Sequence, residues 1–108
     1  MDKERYSDVI LERRVLSHLL RKYLRQYRRQ VRIEFFTKDL HRVLFDFAFQ
    51  NHLPPSDEPA DWWRLFRIEV KKKGMDEDLA EKNLRLLWQY DLEDEIRFKY
   101  YLERLKGF

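Results

Sequence analysis

Basic side chains recur along residues 13–32 at spacings that place several of them on one side of a helix. The stretch holds seven arginines and one lysine and no acidic residue. A guanidinium group suits phosphate and carboxylate partners because its planar fork of N–H donors can form two parallel hydrogen bonds. The residues that we predict to contact an anionic partner are Arg14, His18, Arg21, Lys22, Arg25, Arg28, Arg29 and Arg32.

Part of this pattern has a structural explanation. If the helix runs to about residue 32, then Arg28, Arg29 and Arg32 lie in its last turns, where the helix dipole favours cations. Arg14, Arg21 and Arg25 lie mid-helix, where like charges four residues apart cost about 0.2–0.5 kcal/mol per pair. A solvated helix face remains the alternative to a binding face.

Two kinds of partner could relieve this repulsion. One is the phosphate backbone of RNA or DNA, with Tyr23 and Tyr27 available either to stack on bases or to pack in the core. The other is an acidic protein surface, such as residues 76–95 of this chain or of a second copy. The second possibility makes a homo-oligomer conceivable, and no membrane partner is predicted.

Trp62 and Trp63 are a second candidate interface. Adjacent positions on a helix point about 100° apart, so both rings rarely enter one core. One ring could therefore anchor a protein partner, since tryptophan is enriched at binding hot spots. Burial of both rings against two neighbouring helices is the interpretation we favour.

Residues for catalysis or metal binding are scarce. The order Asp57, Asp61, Glu69, Lys71 has the residue types of the D…E-x-K arrangement of metal-dependent nucleases, but that chemistry needs paired strands and this segment has helix caps. The acidic residues 76–78 fit a helix start, and the three histidines lack ligand spacing. With no cysteine, three serines and one threonine, nucleophiles are few. We predict no enzyme activity, no cofactor and no metal.

Composition predicts an all-α fold in one domain over residues 1–108. Two glycines and three prolines are few for a fold with many turns, while 44% hydrophobic residues can supply a core. Absence of cysteine agrees with a cytoplasmic location. Neither a signal peptide nor a spanning segment is predicted, because no apolar run approaches 18 residues.

Four to five helices are predicted in a compact bundle. The first is a long basic helix whose Leu16, Leu20, Tyr23 and Tyr27 pack against the second helix. The helices and their predicted caps are 3 or 6 to 32; 38–51 with Thr37 as N-cap; 59–73 after Ser56 or Glu58, closed by Gly74; 77–90 after Asp76; and 92–106 after Asp91.

These observations predict a non-enzymatic helical binding module that acts as an accessory or regulatory subunit. It would contact the backbone of a nucleic acid through the arginine-rich helix, with weak sequence preference. The alternative is a protein–protein adaptor or inhibitor, self-associating in one version, that uses the basic helix against an acidic protein surface.

Overall fold

The computed structural model describes the backbone of residues 2–107 and the side chains of residues 9–107. No strand occurs in this part of the chain, which confirms the predicted all-α bundle. The helices are α1 (Asp2–His18), α2 (Leu24–Tyr27), α3 (Asp39–Gln50), α4 (Pro59–Lys72), α5 (Glu77–Leu86) and α6 (Glu95–Lys106). A π-helical turn, Leu19–Tyr23, joins α1 to α2, and 3₁₀ turns cover Ile33–Phe35 and Leu87–Gln89.

The π turn changes the predicted first helix. A single long α-helix to Arg32 was wrong, because α1 ends at His18, α2 ends at Tyr27, and Arg32 has extended dihedrals of φ −117° and ψ 148°. The Leu24 amide donates to Leu19 O, five residues back, instead of four. A turn of this kind holds one more residue than an α-helical turn, so it displaces the following side chains from the predicted stripe.

Tertiary contacts stabilise this wide turn. In an α-helix Leu20 O would accept from Leu24 N, but here it accepts from Ser56 N at 3.0 Å and from Trp62 Nε1 at 3.2 Å. A buried carbonyl needs such a partner. Helix α4 and the segment before it therefore supply the hydrogen bonds that the helix itself gives up.

The core lies between α1 and the later helices. Helix α1 contacts α3 and α6, and α4 packs on α3 and α5. The predicted inward face of Leu16, Leu20, Tyr23 and Tyr27 is buried. Both tyrosine rings lie with their centroids 4.9 Å from the ring of Phe98, so this part of the face packs on α6 instead of the second predicted helix.

The predicted helix boundaries are partly correct. Asp76 caps α5 by accepting from Leu79 N, Gly74 takes a left-handed φ of 67° after α4, and Glu58 is the N-cap of α4. Asp91 is not a cap: Asp94 accepts from Arg97 N and starts α6. The start is delayed because the backbone of residues 90–93 bonds to side chains of α1 and of the π turn.

Thr37 is not the N-cap of α3 either. Lys38 holds that position, and the Thr37 hydroxyl donates to the buried carboxylate of Glu12 on α1 at 2.6 Å. The Glu12 carboxylate also accepts from the backbone amides of Thr37 and Lys38 and from His41 Nδ1. A side chain of another helix therefore satisfies the amides at the start of α3.

Candidate functional site

Arg14, His18 and Arg21, in the N-terminal half of the basic segment, pack inward. Arg14 Nη1 donates to the Tyr101 hydroxyl at 3.0 Å, and its guanidinium lies 5.3 Å and 5.7 Å from the ring centroids of Tyr101 and Tyr90. The Tyr101 hydroxyl in turn donates to Glu93 Oε2 at 2.6 Å. Burial and this carboxylate raise the pKa of Tyr101. The charge of Arg14 is thus balanced inside the chain.

His18 is a core residue, which corrects its predicted place at a nucleic-acid surface. It is 1% exposed and lies 5.9 Å from the ring of Phe98. Glu93 N donates to His18 Nε2, so that nitrogen is the acceptor and the ring proton lies on Nδ1, 2.7 Å from Arg14 O. Burial lowers the pKa of His18 and outweighs the hydrogen bond to Arg14 O and the charge of Glu93, which both raise it.

This neutral histidine predicts a pH-dependent stability. The unfolded chain takes up a proton near pH 6.5 whereas the folded chain does so only at lower pH. The free energy of unfolding should therefore fall as pH drops below about 6.5, by at most roughly 1.4 kcal/mol per pH unit. Urea unfolding between pH 8 and pH 5 measures it, and His18→Gln should flatten the slope in that window. An equal slope in the His18 variant would contradict the assignment.

Arg21 also has partners within the chain. Its Nε donates to Asp57 Oδ1 at 2.5 Å, and its Nη1 donates to Tyr90 O at 2.6 Å and to Ser17 Oγ at 3.2 Å. The side chain is only 10% exposed. The carboxylate partner comes from the loop before α4 and not from residues 76–95, which the sequence had offered as the acidic competitor. That segment still contacts the basic stretch: Tyr90 O accepts from Arg21, the Tyr27 hydroxyl donates to Glu95, and Glu93 accepts from the Tyr101 hydroxyl beside Arg14.

Arg28 covers an aromatic ring of α3. Its guanidinium carbon lies 4.3 Å from the centroid of Phe49, and its nitrogens bond to Phe49 O and to the ring of His52. The residue is the C-cap of α2, so it lies at a helix end as predicted, although the helix ends at Tyr27 and not near residue 32.

Four cations of the segment remain at the surface. They are Lys22, Arg25, Arg29 and Arg32, and we call them the exposed basic surface. Among the side chains that the structure describes, no carboxylate lies within ion-pair distance of any of them, although Lys22 Nζ is 5.4 Å from the Tyr23 ring centroid. Arg25, the one mid-helix arginine left outside, lies beyond the π turn.

In the second half of the chain some exposed cations have a carboxylate partner, while others, such as Arg64, Lys72 and Lys82, have none among the described side chains. The paired ones bond to a glutamate, usually three or four residues earlier in the chain. These are Arg67, Lys73, Arg85, Arg97, Lys99 and Lys106. Pairs of this kind cannot form within residues 13–32, because that stretch contains no acidic side chain.

A cavity of about 590 Å³ adjoins the exposed basic surface. Arg29 and Arg32 line it together with Phe49 of α3 and two carboxylate residues, Glu34 and Asp46. Volumes of about 300–1,000 Å³ are usual for ligand sites. Sequence reasoning missed this cavity, and the i,i+4 pair of Phe45 and Phe49, which both line it, is the signal that could have indicated it.

The tryptophan pair splits between the core and its edge. Trp62 is 2% exposed and its Nε1 bonds to backbone oxygens of Leu20 and Ser56, so it cannot anchor a partner at the surface. Trp63 is half-buried and its ring lies edge-on to Phe66 at 6.5 Å. The favoured interpretation, burial, is correct for Trp62 and partly correct for Trp63.

The other candidate sites have structural roles. Glu69 and Lys71 lie on α4 instead of on paired strands, and Asp76 is an N-cap. Across the described residues, no group of three or more His, Asp or Glu side chains is arranged to hold a metal ion. None of the described helices is both long enough and apolar enough to cross a membrane.

The fold and this surface define a small all-α domain with a basic patch, which has no carboxylate partner among the described side chains, beside a mixed polar and aromatic cavity. Comparisons with protein-family models, with curated proteins and with solved structures found no match.

Proposed function

We propose that this chain is a non-enzymatic binding module, an accessory or regulatory subunit, whose exposed basic surface contacts the phosphate backbone of a nucleic acid. One observation carries the proposal. The fold uses Arg14, Arg21 and Arg28 internally, yet it leaves four cations of the same stretch outward without a carboxylate partner among the described side chains.

The arrangement suits phosphate contacts. Arg29 and Arg32 line the same cavity, and Lys22 and Arg25 precede them at spacings of three and four residues. Exposed arginines keep all their N–H donors available for phosphate oxygens, and phosphate contacts fix position without reading sequence. The binding should therefore be electrostatic and weak in sequence preference.

Four cations set the expected salt dependence. About 0.7 counterions are released per phosphate neutralised on a single strand, so log Kd should change with log salt with a slope of about 3. Raising salt from about 50 to 200 mM should weaken binding roughly 50-fold. A surface that used all eight cations would give a slope about twice as steep.

Titration of a labelled single-stranded oligonucleotide by fluorescence anisotropy, at those two salt concentrations, tests the proposal. Arg25→Gln/Arg29→Gln/Arg32→Gln should reduce the slope to about 1 and abolish most binding at low salt. Arg64→Gln/Lys72→Gln/Lys82→Gln removes the same net charge from other exposed positions and should bind nearly as the unchanged chain does. Equal loss in both variants would mean that only net charge matters, and no binding at low salt would sink the proposal.

A protein adaptor is the second candidate, and exposed apolar side chains favour it. Ile96 and Tyr100 lie one turn apart on α6 and are 77% and 49% exposed. Hydrophobic and aromatic side chains of this kind are enriched in interface cores. Light scattering over a range of concentrations would support self-association if the mass rises with concentration and Ile96→Lys prevents the rise.

A further inference from the structure

The cavity beside the exposed basic surface contains groups that phosphate contacts alone do not use. Besides Arg29 and Arg32 it is lined by Glu34, Asp46, Phe49 and Gln50. Two carboxylates next to a phosphate would weaken its binding by like-charge repulsion. Their presence therefore calls for a ligand group that donates hydrogen bonds.

Resting on the proposed function, we propose that this cavity receives one base of a single-stranded nucleic acid and that it prefers guanine. The phosphates on either side of that base would contact Arg29 and Arg32, and the base edge would face Asp46.

The stacking surface for such a base is already held in place. Arg28 lines the cavity, and its guanidinium is held by Phe49 O, by His52 and by the Phe49 ring, whose centroid is 4.3 Å away. Bases that leave a helical stack are commonly held on aromatic rings or on arginine planes. A volume of about 590 Å³ is ample for one nucleoside.

The carboxylate of Asp46 selects among the bases. An ionised carboxylate only accepts hydrogen bonds, and guanine presents two adjacent donors, N1–H and the 2-amino group, on its Watson–Crick edge. Uracil presents one donor between two acceptors there, so it leaves one carboxylate oxygen facing an acceptor. Asp46 is half-buried on α3, and its side-chain hydrogen bond, from Gln50 Nε2, is long at 3.5 Å, so both of its oxygens can accept from a ligand.

The same geometry selects single strands over duplexes. In a duplex the Watson–Crick edges are paired and the bases stacked, and extruding one base costs a few kcal/mol. A single strand pays little of this cost. A duplex should therefore bind through its phosphates alone.

The experiment compares labelled RNAs in anisotropy titrations: an all-uridine heptamer, a heptamer with a central guanosine, a heptamer with a central inosine, and a stable hairpin whose stem holds the guanosine in a base pair. The guanosine strand should bind about tenfold more tightly than all-uridine. Inosine, which lacks the 2-amino group, should lose most of that gain. Asp46→Asn should bring guanosine and uridine to within about twofold, while Asp78→Asn, at an exposed carboxylate outside the cavity, should keep the preference.

The outcomes separate the two proposals. Equal binding of guanosine, inosine and uridine strands with the steep salt dependence described above would overturn the base site and leave the phosphate contact standing. Equal binding of the hairpin and the guanosine heptamer would overturn the base site as well. If no heptamer binds at low salt but a glutamate-rich peptide does, the surface serves a protein partner and both proposals fall. The inosine strand needs no protein variant, so the test holds even if Asp46→Asn disturbs folding.

Discussion

Replacing Glu12 with alanine is expected to lower the free energy of unfolding by about 3–5 kcal/mol, the usual cost of breaking a buried charged network. The Glu12 carboxylate is fully buried and four donors converge on it, from Thr37, Lys38 and His41. Alanine would leave these donors without an acceptor. It would also remove the negative charge that interacts favourably with the positive N-terminal end of the α3 dipole.

The protonation of Glu12 adds a pH dependence of known sign. Burial alone would raise the pKa of this carboxyl, but hydrogen bonds from His41 and Thr37 outweigh it and hold the pKa below 4.5. A lowered pKa stabilises the fold above pH 4.5, and that stabilisation is lost as pH falls through the folded value. The loss of stability caused by protonation of Glu12 therefore occurs at a lower pH than the loss caused by protonation of His18.

Urea unfolding at pH 7 measures the change. Glu12→Gln should cost less than Glu12→Ala, because the amide oxygen still accepts from Thr37 and His41 can shift its ring proton to accept from the amide. Glu103→Ala removes an exposed glutamate paired with Lys106 and should change stability by less than about 0.5 kcal/mol. A loss below about 1 kcal/mol in Glu12→Ala would refute the role assigned to this carboxylate.

Trp62→Ala is expected to cost about 3–5 kcal/mol, the range for truncating a buried large aromatic side chain. The indole fills the core between α4 and the π turn, and its Nε1 donates to the carbonyl of Leu20 that the turn releases. Loss of the ring leaves a cavity and takes one of two donors from that carbonyl. The π turn should then become less stable as well.

The adjacent tryptophan provides the control. Trp63→Ala removes the same side chain from a half-buried position, so its cost should be clearly smaller. Trp62→Phe keeps most of the apolar volume but not the N–H group, so its cost should fall between the two. Thermal unfolding of the three variants measures the order; a larger loss for Trp63→Ala than for Trp62→Ala would contradict the packing.

The helical class and most helix ends follow from local chemistry. Asp76, Glu58 and Gly74 mark boundaries because capping depends on the residue itself and on two or three neighbours. The N-caps predicted at Asp91 and Thr37 were wrong, because residues of α1 and the π turn, distant in sequence, form the hydrogen bonds of those two segments. The start of α3 is completed by Glu12, which local sequence cannot reveal.

Which arginines are exposed also depends on residues that are distant in sequence. Arg21 and Arg25 look equivalent in the sequence, four residues apart on one stripe. The π turn separates them, and it depends on hydrogen bonds from Ser56 and Trp62, more than thirty residues away. Arg21 meets Asp57 across a similar separation. Periodicity can therefore predict a basic helix, but it cannot tell which of its cations stay exposed.

Mapping the bound surface by NMR tests the central claim most directly. Amide resonances would be followed in the full chain while a single-stranded oligonucleotide is added at low salt. We expect shifts concentrated at residues 22–34 and 45–50, with residues 77–106 nearly unchanged. Shifts centred on α5 and α6, or none at saturating oligonucleotide, would contradict the assignment of the exposed basic surface as a nucleic-acid contact.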